Sequence, residues 1–91
     1  QANYKESATR AAQREIESLR NNHYNSLAVG SNISFTNELS PKLPAGSTGN
    51  VVVSEPSPGL KRVDVTVTYP DKNLQHKVVL SSLIGVIGIT Q

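Results

Sequence analysis

Two periodicities divide the chain. From residue 2 to 22 the apolar positions recur at helical spacing: Ala8, Ala12, Ile16 and Leu19 lie four, four and three residues apart, and Ala11 widens the stripe. Arg10, Arg14, Glu17 and Arg20 fall on the other faces, and Glu6 precedes Arg10 in the order that favours an i,i+4 ion pair. Asn21 and Asn22 are suited to end the helix, because Asn tolerates the left-handed conformation of a C-cap. The stripe is narrow and rich in alanine. It predicts a helix lying close against one flat surface, with no second helix in the sequence to form a bundle.

The second half alternates instead. Val63, Val65, Val67 and Tyr69 alternate with Arg62, Asp64, Thr66 and Thr68, the pattern of a strand with one buried and one wet face. Pro70-Asp71-Lys72-Asn73 is turn chemistry, and beyond it Leu74, His76, Val78 and Leu80 share one parity. Pairing Tyr69 with Leu74 sets Val67 against His76, Val65 against Val78 and Val63 against Leu80. On the wet side the same register sets Thr66 against Lys77 and Arg62 against Ser81. A slip by one residue turns one strand inside out, so the sequence is expected to specify this register. A shorter β-branched run, NVVVS at 50–54, predicts another strand, and EPSPG at 55–59 reads as a turn outside any strand.

Between these halves, residues 23–48 hold no sustained period and read as a long helix-to-sheet loop, with a short extended piece at 32–36. LPAGSTGN at 43–50 closes the loop with turn punctuation. A lone helix with one apolar stripe must bury it on the sheet. The expected fold is α+β: one domain over 1–91, with a helix at 2–22, a loop at 23–48, an antiparallel meander of three to four strands at 49–84, and an apolar tail at 85–91. The helix–sheet contact is expected from Ala8, Ala12, Ile16 and Leu19 against Val63, Val65, Val78 and Leu80.

Composition narrows the chemistry. A chain of 91 residues with no Cys, Met or Trp builds its core from Val, Leu, Ile and Ala, and disulfides, zinc thiolates and thiol catalysis drop out. His23 and His76 have no partner at ligand spacing. The carboxylates form no acid–base pair, the serines stand in no nucleophile elbow, and GSTGN lacks the lysine of a phosphate loop. Asn32-Ile33-Ser34 matches the N-glycosylation triplet, a short pattern that recurs by chance. No enzyme activity, cofactor or metal is expected. The net charge is only +2. Lys61, Arg62 and Lys77 offer a weak basic patch for DNA phosphates or an acidic partner, without aromatic residues to stack bases. No stretch reaches the ~20 apolar residues of a membrane span, and the chain opens on Gln1, which predicts processing or a preceding segment.

The order of segments, with LPAGSTGNVVVS at 43–54, LKRVDVTVTYPD at 60–71 and HKVVLSSLI at 76–84, resembles the soluble part of a minor type IV pilin or of a minor pseudopilin of type II secretion. The resemblance covers residues 2–84. It implies a pilin-like fold and a structural subunit that works by docking on other pilin or pseudopilin subunits. It also implies a preceding apolar helix that is cleaved from a leader, methylated and held in the bacterial inner membrane before assembly into a periplasmic or extracellular filament. The glutamate that such helices carry near their start has no position in this sequence. Two features depart from the pattern: the chain runs past Leu83-Ile84 into the tail, and it lacks the cysteines that staple many pilins. The alternative is a DNA-binding or adhesive module, such as a DNA-uptake minor pilin.

Overall fold

In the computed structural model, which describes residues 3–21 and 27–85, helix α1 spans Tyr4–Asn21. Asn3 caps it: its side-chain oxygen accepts the Glu6 N–H at 3.1 Å, which satisfies one of the unpaired donors of the first turn. Among the described residues four strands follow, β1 (Asn32–Ser34), β2 (Thr48–Ser57), β3 (Leu60–Asp71) and β4 (Leu74–Gly85), with a 3-10 turn at Thr36–Glu38 after β1. They form an antiparallel sheet in the order β1-β2-β3-β4, a meander with the helix on one face. The fold is α+β as expected. The expected helix ends at 2 and 22, His23 and the tail beyond Gly85 lie outside the described residues.

The core is a valine sheet under an alanine helix. Val51, Val53, Val63, Val65 and Val67 are fully buried on the inner face of β2 and β3. Each such side chain contributes roughly 1.5–3 kcal/mol relative to leaving it exposed. Ala8, Ala11, Ala12 and Leu19 are buried above them, while Ile16, Val78 and Leu80 are partly buried and pack on the same cluster. Alanine at the contact lets the helix lie close over β3 and β4, the strands it packs on. At one end Tyr4 meets Tyr69 edge-on at 6.1 Å, and Tyr69 stacks on His76 at 5.3 Å.

The β3–β4 register corrects the expected one. Tyr69 pairs with His76, Val67 with Val78, Val65 with Leu80 and Val63 with Ser82. The slip is two residues, so each side chain keeps its predicted face. The cause is the turn. Lys72 and Asn73 both adopt positive φ, 54° and 68°, and form a two-residue hairpin loop whose twist matches the strands. Pro70 and Asp71 therefore belong to β3. Asp71 and Leu74 close the loop as a hydrogen-bonded pair, so Pro70 sits in a non-bonded pair and turns its missing N–H away from β4. β2 pairs with β3 only as far as Thr68, so that proline costs the sheet no hydrogen bond.

The EPSPG segment is also corrected. β2 runs on through Glu55 and Pro56 to Ser57 by way of a bulge between Ser54 and Ser57, which absorbs the proline in the ladder. Only Pro58-Gly59 turns, with Gly59 at φ 80° as a Pro-Gly type II turn requires. The long loop is less superficial than its sequence suggests. Leu27, Phe35 and Leu43, spaced eight apart, are all buried in the core. Phe35 lies against Gly49, and its N–H bonds the Gly49 carbonyl at 3.0 Å.

Candidate functional site

With the helix covering one face, the other face of the sheet is open. Opposed residues of an antiparallel ladder share a face, so the register lays out its rows: Ser54, Arg62 and Leu83; then Val52, Asp64 and Ser81; then Asn50, Thr66 and Val79; then Thr48, Thr68 and Lys77. Thr66 thus faces Val79 and Arg62 faces Leu83, which replaces the expected Lys77 and Ser81. Val52, Val79 and Leu83 are exposed apolar side chains on this otherwise polar surface. Asp64 is held there by two hydrogen bonds. Ser81 donates its hydroxyl to Asp64 Oδ1, and Arg62 Nε donates to the same oxygen at 3.0 Å. The Ser81 hydrogen bond, assisted by Arg62, holds the Asp64 carboxyl below its ordinary value against the opposing effect of burial.

The three basic residues do not make one patch. Lys61 shares the parity of Val63, turns to the helix side and is only 7 % exposed, with Nζ donating to the Leu27 carbonyl at 2.6 Å. Arg62 and Lys77 stand on the open face, six strand positions apart on neighbouring strands, and Arg62 is tied to Asp64. Lys61 therefore anchors the loop where the sequence suggested a phosphate contact. His76 lies against Tyr69 near the hairpin turn.

Grooves flank the helix, and two of them reach other elements. One, of about 280 Å³, runs between α1 and the loop and is lined by Ala11, Arg14, Glu15, Ser18, Phe35 and Glu38. Here Glu15 is pushed above its ordinary value, first by burial and then by the charge of Glu38 and a hydrogen bond to it. The other, of about 520 Å³, is open and bends round β4 beside Arg20, Arg62, Ser81, Ser82 and Leu83. Among the described residues no group of three His, Asp or Glu side chains is placed to hold a metal ion. The described surface thus combines a polar helix face, an anchored loop, an open sheet face and, at β4, an edge that no described strand pairs with.

In shape the described unit is pilin-like, an N-terminal helix packed on a four-stranded antiparallel meander. Compared with known proteins, the chain matches no family model, no curated protein and no solved structure. No helix among the described residues is long and apolar enough to cross a membrane.

Proposed function

We propose that the chain is the globular part of a minor type IV pilin or of a minor pseudopilin of type II secretion, a structural subunit that acts by packing on other subunits. The observation that carries this reading is the clamp: a single N-terminal amphipathic helix whose small-residue face is sealed on β3 and β4. Its remaining faces, with Arg10, Gln13, Arg14 and Glu17, are left exposed. Such a unit presents a stiff rod and a fixed loop to its neighbours, the requirements of a part that is stacked. The membrane anchor of this reading precedes Gln1 as an apolar helix. The protein then waits in the bacterial inner membrane and moves into a periplasmic or extracellular filament. The alternative of nucleic-acid binding has less support, because Lys61 is buried away from Arg62 and Lys77.

Translation of the reading frame upstream of Gln1 tests the proposal. A short basic leader followed by ~20 apolar residues is the expected result. A start with neither leader nor apolar helix would overturn it.

A further inference from the structure

The two edges of the sheet are built differently. β1 is three residues long, and beyond it β2 is interrupted by its bulge and Pro56. Short strands, bulges, prolines and charged side chains, lysine above all, are the usual means of blocking edge-to-edge pairing. Of these β4 has only Lys77. It is twelve residues long, pairs with β3 without a register shift, contains no proline and carries a single full charge, Lys77. Among the described residues nothing pairs with its outer side.

The hairpin fixes which groups that side offers. Asp71–Leu74 is a hydrogen-bonded pair, so every second residue from Leu74 onward bonds to β3. Gln75, Lys77, Val79, Ser81 and Leu83 direct their N–H and C=O groups outward. Their side chains lie on the open face, where Val79 is 56 % and Leu83 is 55 % exposed.

We propose that this edge is an interface on which β4 of a second copy of the chain pairs antiparallel, joining two sheets into one. Centred on Val79, the pairing sets Val79 against its own counterpart, Lys77 against Ser81 of the copy and Gln75 against Leu83 of the copy, with about ten backbone hydrogen bonds. Pairing β4 with the β1 edge of a copy instead yields only about two to four, because β1 is so short. The self-pairing also sets no two like charges opposite each other. Both helices stay on one side, since opposed residues share a face. Each lies over β3 and β4, and strands are about 4.8 Å apart, so the two helix axes come about 10 Å apart, the distance at which helices pack. The two-fold axis makes the helices antiparallel and turns the Glu6 end of each toward the Arg20 end of the other. This inference stands apart from the filament reading and is tested on the chain itself.

Sedimentation equilibrium of the purified chain from about 1 µM to about 1 mM is expected to show a monomer–dimer equilibrium. Val79→Lys sets like charges together at the two-fold and is expected to raise the dimer Kd about tenfold or more, whereas Val52→Lys, on the same open face but two strands from the edge, leaves it unchanged. Oxidation of Val79→Cys is expected to give a disulfide-linked dimer, because the hydrogen-bonded pair spacing of about 5.5 Å suits a disulfide. Leu83→Cys, opposite Gln75, is not expected to cross-link. A chain that stays monomeric over the whole range, equal effects of the two lysine substitutions, or cross-linking through Leu83→Cys in preference to Val79→Cys each overturns the proposal.

Discussion

Gly49→Ala probes the lock that holds the loop to the sheet. A Cβ at Gly49 falls 2.7, 2.8 and 2.9 Å from three ring carbons of Phe35. Non-bonded carbons rest at about 3.5–4.0 Å, so the ring has to retreat by about 1 Å. It has little room to do so. Phe35 is buried, its N–H bonds the Gly49 carbonyl, and the Gly49 N–H donates to Thr36 Oγ1 at 3.1 Å. The backbone behind the ring is thus tied to the residue that pushes it. Overpacking of this kind costs about 1–3 kcal/mol, against about 0.5–1 kcal/mol gained by replacing glycine within a strand. The net destabilisation is at most about 2.5 kcal/mol and centres on about 1 kcal/mol, a fall in Tm of roughly 4–8 °C at that centre for a domain of this size. Thermal and urea unfolding of the single and double variants measure it. In a Phe35→Leu background the clash is relieved, so the Gly49→Ala penalty is expected to shrink to nothing or change sign, a coupling of about 1–3 kcal/mol. A Gly49→Ala variant as stable as the parent, or one with the same cost in both backgrounds, would falsify the lock.

Three further outcomes follow from the same contacts. Lys61→Met leaves the Leu27 carbonyl without its ammonium donor and is expected to cost about 1–3 kcal/mol in urea unfolding, with amide exchange rising first around Leu27. Ser81→Ala removes the main support of the Asp64 carboxylate and is expected to cost about 0.5–1.5 kcal/mol. Because the folded pKa is depressed, that loss is full above the ordinary Asp value of 3.8 and vanishes as pH falls through the folded value, so stability curves of variant and parent converge in acid. Glu15 has the opposite sign: its folded pKa is raised, so the fold disfavours its ionised form and loses stability as pH rises from 4.5 through the folded value. Glu15→Gln is therefore expected to stabilise the neutral-pH protein by about 0.2–0.5 kcal/mol, the scale of a like-charge pair, with no difference below pH 4.5. Equal stability of this variant and the parent at neutral pH would count against the burial of Glu15 beside Glu38.

The elements that were legible in the sequence are those set by side-chain period. The alanine-rich stripe placed α1, and the alternation at 63–69 and 74–80 placed the inner face of β3 and β4, because period and burial are the same fact seen twice. Register depends on turn geometry, which the Pro70–Asn73 run conceals: Pro70 signals a turn, yet the chain turns at Lys72-Asn73, where both residues take positive φ. Lys61 was legible too, since it shares parity with Val63, but its charge drew it toward Arg62 on paper. The loop anchors were the least visible. Leu27, Phe35 and Leu43 are isolated apolar residues in a polar stretch, and only the fold supplies Gly49 as the flat seat for Phe35. The open-face network at Asp64 likewise needs the register that brings Ser81 opposite it.

The proposal that the chain is an assembly subunit is tested most directly in the cells that make it. The sequence has no cysteine, so single cysteines introduced on the exposed helix positions Arg14 and Glu17 report only new neighbours. Photo-cross-linking through a thiol-attached benzophenone in the intact envelope, followed by identification of the adducts, is expected to yield the chain joined to other subunits that share its N-terminal helix architecture. Recovery of the chain as monomer from every position, outside the envelope fraction, would contradict the account.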